Sequence, residues 1–332
     1  MNHKPASPLA TRTLYPALAA LSMLVSGAAV AQAWPAKPIS IVVSYPAGGD
    51  TDAIGRAYAE KLTARLGQPV LIDNRPGASG TIGNSYVAKS AADGYTLLFT
   101  PSTFPIAQHV LRVGANIAHD VNKDFTPIIK TGNIPLLAVT APATGVKDMK
   151  QLIADAKGGK PFNYGSPGTG SPMHIAGEML NQAAGIKVTH VPYKGVAPVV
   201  VDALGGHVTI GWITPGAVGQ HVSTGKLIPL AVAERARTKL MPNVPTLIEL
   251  GYKDLDISAW MGLVGPKGMP ADIVRTLNAH FNEILKMPDV IARMASLGIE
   301  PIGGDPSVMA KQVASDDERF GKLVAQFGIK AE

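Results

Sequence analysis

The 332-residue chain contains no cysteine, and only 16% of its residues are charged and 5% aromatic. Without cysteine it has no disulfide framework, no thiolate zinc site, no iron–sulfur cluster, no cysteine nucleophile and no lipid anchor on an N-terminal cysteine. The chain is nevertheless 46% hydrophobic with a formal net charge of +6, a composition typical of folded rather than disordered proteins. Its length allows two domains.

Long hydrophobic runs are also missing, except near the N-terminus. Lys4 and Arg12 precede an apolar run from Leu14 to Val30, and Ala31-Gln32-Ala33 follows it. A basic start, an apolar core and a small-x-small end predict a secretory signal peptide over residues 1–33. The alternative is a transmembrane anchor, but polar and helix-breaking residues such as Pro16 interrupt the run. We therefore expect a soluble mature protein in the periplasm.

Beyond residue 33, short apolar runs alternate with helical patterns. The predicted strands are Ile39–Tyr45, Val70–Asp73, Thr96–Thr100, Leu136–Thr140, Asn163–Ser166, Val188–Pro192, Val208–Ile213, Leu227–Val232 and Trp260–Val264. Apolar residues with helical spacing lie among them, for example at 54–66 and 273–284. This alternation predicts an α/β fold with mainly parallel sheets flanked by helices. Ligands of such sheets bind at the carboxyl ends of the strands.

Two of the strand-to-helix loops have the composition of anion sites. Gly48 and Gly49 precede a helix that begins near Asp50, and Ser171-Pro172 begins another after a glycine-rich loop. Backbone N–H groups at a helix N-terminus favour an anion. Ordinary capped connectors are the alternative for each loop. Asp50 and Asp52 can stabilise the helix N-terminus, and Asp52 can also orient the loop beside a bound carboxylate.

Enzyme motifs are mostly absent. The glycines at 168 and 170 are followed by Met173 where a dinucleotide fingerprint needs glycine, and neither a Walker A motif nor a G-x-S-x-G elbow occurs. Ser171 and His174 could form a nucleophile–base pair of an exported hydrolase, but a Ser that caps a helix already uses its oxygen. The histidines lack metal-ligand spacing, so we expect neither metal nor cofactor. No basic stripe with interleaved aromatics indicates nucleic-acid binding.

Ordered sequence matches indicate a family. The chain resembles the Bug-type extracytoplasmic solute receptors, the binding proteins of tripartite tricarboxylate transporters. The matching runs are Pro35–Ala47 with Gly-Gly-x-Thr-Asp52, Gly67–Val70, Asn74-Arg-Pro-Gly-Ala78-x-Gly80, Asp93–Thr96, Lys123–Pro127, Tyr164–Ser166 with Gly170, Ser171 and His174, His190–Gly195, Asn243–Thr246, and Trp260 with Pro266-x-Gly268-x-Pro270.

The resemblance implies a two-lobed Venus-flytrap fold with the ligand between the lobes. Lobe 1 would take residues 34–134 and 258–332, and lobe 2 residues 135–257. The positions that the resemblance assigns to ligand binding are Ala47, Gly48, Gly49, Asp52, Thr100, Ser102, Thr103, Ser166, Thr169, Gly170, Ser171, His174, Tyr193, Lys194 and Thr214.

The resemblance further implies capture of a small carboxylate for the membrane subunits of a tripartite tricarboxylate-type transporter, by a monomer that is not an enzyme. Presentation of the ligand to a membrane sensor kinase is the alternative. After Val208–Ile213 many relatives carry an Asp, whereas this chain has Thr214-Pro215, and relatives often cap the helix at 196–198 with Ser. We therefore expect a carboxylate without an ammonium group, with an apolar or aromatic body against Trp212.

Overall fold

The computed structural model describes Met1, His3 and residues 34–111, 114 and 118–330. These residues belong to two units, Met1–Ala36 and Lys37–Glu332, and all strands and helices given below lie in the second. Apart from Met1 and His3, the predicted signal peptide falls outside the described residues and stays a prediction. Within the described ranges, no helix is both long enough and apolar enough to cross a bilayer.

The second unit alternates strands and helices along most of its length. Its strands are β1 (Ile39–Val43), β2 (Val70–Asn74), β3 (Thr96–Pro101), β4 (Phe125–Pro135), β5 (Leu137–Thr140), β6 (Phe162–Ser166), β7 (Val188–Pro192), β8 (Ile210–Ile213), β9 (Ile228–Val232), β10 (Ser258–Pro266) and β11 (Glu300–Pro301). Its helices are α1 (Asp50–Leu66), α2 (Thr81–Ala88), α3 (Thr103–Val110), α4 (Met149–Lys157), α5 (Pro172–Ala184), α6 (Val196–Leu204), α7 (Pro215–Ser223), α8 (Ala271–Ile284), α9 (Pro288–Ser296) and α10 (Pro306–Phe327).

The strands form two sheets, and each sheet is the centre of one lobe. The first has six strands in the order β11-β4-β10-β3-β1-β2, and the second has five in the order β7-β6-β8-β5-β9. The chain leaves the first sheet with β4 and enters the second with β5, and it returns with β10. The α/β two-lobed fold is therefore confirmed, while the lobe boundaries at 134/135 and 257/258 stay a prediction.

The sheets are mixed, which corrects the expectation of mainly parallel sheets. β1 is parallel to β2 and β3, and β6 is parallel to β7 and β8. However, β10 runs antiparallel to β3 and β4, and β5 runs antiparallel to β8 and β9. The physical reason is that the chain crosses between the lobes twice, from β4 to β5 and from β9 back to β10. The strands beside these crossings therefore run in opposite directions.

The nine predicted strands are present, but β4 and β11 were missed. β4 interrupts its apolar residues with Lys130, Thr131, Gly132 and Asn133, so it lacks the two-residue alternation of a recognisable strand. Lys130 is only 6% exposed and donates to Gln312 of α10, 2.8 Å away. The polar side chains of β4 are therefore buried by tertiary contacts that its local sequence does not show.

The helices bury the predicted faces. Ile54, Tyr58 and Leu62 of α1 are at most 1% exposed, and the rings of Phe99 and Phe281 pack edge-on against Tyr58. A second core lies in the other lobe and includes Leu137, Val139, Val199, Ala203 and Ile213. These cores hold the ends of the strands and helices in fixed places, and the candidate site is built from those ends.

Candidate ligand-binding cleft

Six helices follow the carboxyl ends of parallel strands, three in each lobe. In the first lobe α1, α2 and α3 follow β1, β2 and β3, and in the second α5, α6 and α7 follow β6, β7 and β8. Helix N-termini carry unpaired N–H groups and the positive end of the helix dipole. The arrangement therefore favours an anion without requiring a Lys or Arg side chain.

The two lobes touch at two points where glycine lets them approach closely. At Gly170 of the second lobe, an added Cβ would lie 2.8 Å from a methyl of Val110 in α3. At Gly216 in α7, an added Cβ would lie 2.3 Å from the carbonyl carbon of Leu297, which follows α9 of the first lobe. The cleft is thus closed in this structure, with glycine backbone on the second-lobe side of both contacts.

Between the lobes lies a cavity of about 240 Å³, which we call the small chamber. Its lining residues are Tyr45, Ser79, Thr103, Ala107, Val110, Pro167, Gly168, Thr169, Gly170, Ser171 and Gly195. Five of these residues carry hydroxyl groups, and none carries a formal charge. Hydroxyl and backbone N–H donors can bind a carboxylate there, and the exclusion of water strengthens such hydrogen bonds.

The hydroxyl groups of the small chamber are partly fixed by neighbours. Tyr45 Oη is hydrogen-bonded to Thr103 Oγ1 and donates to the carbonyl of Ser79, 3.2 Å away. Burial raises the pKa of Tyr45 to about 12, although the hydrogen bond with Thr103 opposes it, so the phenol stays protonated. Thr169 has no hydrogen-bond partner among the described residues, which leaves its hydroxyl available to a ligand.

A second cavity of about 660 Å³, the large chamber, lies on the other side of Tyr45 and Gly195, which line both. Its other lining residues are Pro46, Gly49, Asp50, Thr51, Val196, Ala197, Val200, Gly216, Ala217, Ser296 and Leu297. Both lobes therefore contribute residues to two adjacent chambers of different size.

The loop after β1 is held by Asp52. The carboxylate of Asp52 accepts hydrogen bonds from the Gly48 N–H (2.9 Å), from Arg56 Nε (3.0 Å) and from Asn74 Nδ2 (2.9 Å). Burial raises the pKa of Asp52, but the hydrogen bonds from Arg56, Gly48 and Asn74 outweigh it and hold the pKa below its usual value. Asp52 is 3% exposed, so its buried carboxylate holds the loop in place through the hydrogen bond from the Gly48 N–H.

A stacked histidine pair supports the loop after β6. The rings of His174 and His190 lie 3.7 Å apart at an angle of 9°. His174 Nδ1 accepts from the Gly170 N–H at 3.1 Å, and His190 Nε2 lies 2.7 Å from Ser166 Oγ. Burial lowers the pKa of His174 to about 3, with a further contribution from His190, and burial lowers the pKa of His190 to about 4. Both rings are neutral at neutral pH and orient the loop without adding charge.

Five of the predicted site residues line the chambers. Thr103, Thr169, Gly170 and Ser171 line the small chamber, and Gly49 lines the large one. Their contact with a ligand stays a prediction.

The other predicted residues lie around the chambers. Thr100, Ser102, Ser166 and Thr214 are at most 5% exposed, and Ala47, Gly48 and Lys194 are exposed. Tyr193 donates to Asp202 of α6 at 2.5 Å, so its hydroxyl is turned towards that helix. Trp212 is 0% exposed, so its ring is not accessible to a ligand, contrary to the expected contact.

Sequence reasoning assigned no role to the segment before α2, although its Gly-Ala-Ser-Gly run was part of the family pattern. Gly77, Ala78, Ser79 and Gly80 all have positive φ angles, 46° at Ala78 and 50° at Ser79. Such angles are costly for residues with a Cβ, and they concentrate at functional sites. Here they bring Ser79 to the small chamber, where its carbonyl accepts from Tyr45.

The hydrolase interpretation does not fit the geometry of Ser171 and His174. Ser171 Oγ accepts from the His174 backbone N–H at 3.2 Å as the N-cap of α5, and His174 Nδ1 is taken by Gly170. Ser171 is therefore not activated by the imidazole. Among the described residues, no group of three or more His, Cys, Asp or Glu side chains is placed to hold a metal ion.

Ser171 has a testable structural role. Replacing it with Ala should lower the free energy of unfolding by about 1 kcal/mol in urea denaturation without ligand, because α5 loses its cap. Ser171→Asn, which retains a capping oxygen, should keep most of that stability. Equal stability of the Ala variant and the wild type would show that the cap contributes nothing.

A family model described as "Tripartite tricarboxylate transporter family receptor" matches residues 54–329. The protein BugT of Bordetella pertussis is 36% identical over 320 residues, covering 94% of this chain and 98% of BugT.

Solved structures agree with this match. A protein of R. palustris solved with adipate has a TM-score of 0.78 and 32% identity, over 90% of this chain and 99% of that one. MatC of Rhodopseudomonas palustris, solved with bound malate, has a TM-score of 0.75 and 28% identity, over 88% of this chain and 100% of MatC.

Proposed function

This chain belongs to the tripartite tricarboxylate transporter family of periplasmic solute-binding receptors, and we propose that it captures a small carboxylate without an ammonium group between its lobes. The observation that carries the proposal is the small chamber, in which hydroxyl groups and helix N-termini meet without a charged side chain. The relatives solved with adipate and malate support a carboxylate as the ligand.

The carboxylate would be held mainly by the loop 167–171. The hydroxyl of Ser171 accepts one hydrogen bond from His174, which leaves its own hydrogen free to donate to a ligand oxygen. The Thr169 hydroxyl is a second donor in the same loop, and Thr103 lies in the wall formed by the first lobe. Hydrogen bonds to a charged carboxylate are stronger than those between neutral groups.

An ammonium group would find little to bind in the small chamber. Both oxygens of Asp52 already accept hydrogen bonds from the protein, and the residue that follows β8 is the uncharged Thr214. Among the described residues that line the small chamber there is no acid. A ligand with an ammonium group would therefore lose hydration there without gaining a counter-charge.

Delivery to the membrane subunits of a tripartite tricarboxylate-type transporter completes the proposal, with the protein acting in the periplasm after removal of residues 1–33. The proposed boundaries place residues 34–134 and 258–332 in one lobe and 135–257 in the other. Closing these lobes on a ligand would let the transporter distinguish the loaded protein from the empty one.

Ligand specificity provides the test. In thermal-shift and calorimetric titrations, adipate, malate or hexanoate should stabilise the protein, by about 2.7 kcal/mol at 100 times Kd. Aspartate and glutamate should bind at least tenfold more weakly. Thr169→Ala should weaken carboxylate binding about tenfold, because one hydrogen bond to a charged group is lost.

Thr224→Ala is the matched control, since it removes an exposed hydroxyl at the end of α7. Its affinity should equal that of the wild type. Tight binding of aspartate or glutamate with no response to plain carboxylates would overturn the proposed function.

A further inference from the structure

The walls of the large chamber are mostly apolar and come from both lobes. Val196, Ala197 and Val200 of α6 and Ala217 of α7 face it from the second lobe, and Leu297 closes it from the first. Its volume of about 660 Å³ lies within the range of small-molecule pockets. An apolar group in this chamber would be removed from water against side chains of its own polarity.

Asp50 is the acid that lines the large chamber. It lies in the first turn of α1, where its carboxylate already interacts with the helix dipole. No Lys or Arg occurs among the described residues that line this chamber. The N-termini of α1, α6 and α7 also reach this chamber, and Arg293 of α9 opposes the rise that burial causes in the pKa of Asp50. A second carboxylate of a ligand would nevertheless lie beside the like charge of Asp50 and against apolar walls.

The two chambers adjoin each other, and this arrangement suits an elongated ligand. Tyr45 and Gly195 line both of them, so a molecule with its carboxylate in the small chamber would have to pass these two residues to enter the large one. The hydroxyl groups are concentrated at one end of the cleft and the aliphatic side chains at the other. This polarity is that of an amphipathic molecule with one charged end.

We propose that the ligand is a monocarboxylate whose apolar body fills the large chamber, which distinguishes this chain from the relatives solved with adipate and malate. The inference rests on the proposed function, because it assumes that the carboxylate lies in the small chamber. The proposed ligand class is therefore aliphatic or aromatic monocarboxylates.

Hexanoate and adipate form a matched pair for the test, since they have the same chain length and differ in the second carboxylate. Hexanoate should bind the full-length mature protein at least tenfold more tightly than adipate in calorimetric titrations. In the series butanoate, hexanoate and octanoate, each buried methylene should tighten binding about fourfold until the chamber is full.

Two variants fill the chamber from the second lobe. Ala197→Phe and Ala217→Phe should weaken octanoate binding at least tenfold and leave acetate binding within twofold of the wild type. Val201→Phe is the control, because Val201 is 65% exposed on the same helix as Ala197 and does not line the chamber. It should leave both affinities unchanged.

The results separate the two proposals. Adipate binding more tightly than hexanoate, or a Phe variant weakening acetate and octanoate equally, would overturn the assignment of the large chamber while leaving carboxylate capture intact. If none of these carboxylates binds the wild type, the proposed function itself fails.

Discussion

Replacing Gly216 with Ala should weaken carboxylate binding about tenfold or more, equivalent to about 1.4 kcal/mol of lost closure energy. The added Cβ would lie 2.3 Å from the carbonyl carbon and 2.5 Å from the carbonyl oxygen of Leu297. Both are backbone atoms of the opposite lobe, so no side-chain rotation relieves the clash. The lobes must separate, and a ligand that contacts both then loses part of its contacts.

The clash lies between lobes and not within one of them, so Gly216→Ala should still fold. Gly216 is in the first turn of α7, and Ala favours a helix over Gly by up to about 1 kcal/mol. Small-angle X-ray scattering should show a larger radius of gyration for the variant than for the wild type, both without ligand. Calorimetry with the best carboxylate of the panel should show the loss of affinity.

Gly219→Ala is the matched control on the same helix. An added Cβ at Gly219 has no atom within 4 Å, so it gains the same helix preference without a clash. Its radius of gyration and affinity should equal those of the wild type. If Gly216→Ala behaves like this control, the approach of α7 to Leu297 is not needed for closure.

The second large effect is expected for Glu234→Gln, which should be more stable than the wild type by an amount that depends on pH. Glu234 follows β9, and its Oε1 is buried with no hydrogen-bond partner among the described residues. Burial raises the pKa of Glu234 from 4.5 to about 7, with a further contribution from Glu300, while Lys130 opposes the shift.

The sign of the effect follows from the raised pKa. The folded state binds the Glu234 proton more tightly than the unfolded state, so this contribution to stability is present at low pH and is lost as pH rises from 4.5 to about 7. A shift of this size corresponds to about 3 kcal/mol. Gln carries no charge at any pH and resembles the protonated acid, so the variant avoids that loss.

Urea denaturation at pH 5 and pH 8 measures the effect. Glu234→Gln should exceed the wild type by less than about 1 kcal/mol at pH 5 and by about 3 kcal/mol at pH 8. The same substitution at Glu60, whose side chain is 77% exposed, is the control and should give the same small difference at both values. If the difference in unfolding free energy between Glu234→Gln and the wild type does not change with pH, the raised pKa of Glu234 is wrong.

Local sequence patterns predicted those parts of the fold that depend on neighbouring residues. The strands were recognisable because their apolar runs are short and bounded by turn residues. The cap at Ser171 was recognisable because Ser, Pro and the following helix are adjacent in the chain, and Ser171 Oγ does accept from the His174 N–H. By contrast, β4 was missed because its polar side chains are buried by residues far away in the chain, such as Gln312.

The sequence by itself determined the α/β character, the family, and an uncharged glycine- and hydroxyl-rich set of loops at the helix starts. These features are local, because caps, turns and apolar periodicity act over a few residues. Only the tertiary structure decided which loops face one another and that Trp212 lies in the core. It also decided that the Asp52 carboxylate accepts a hydrogen bond from Gly48 of its own loop. It also decided that α7 meets Leu297 and that an apolar chamber adjoins the hydroxyl groups. Those features arise from contacts between residues far apart in the chain, and burial and lobe closure depend on such contacts.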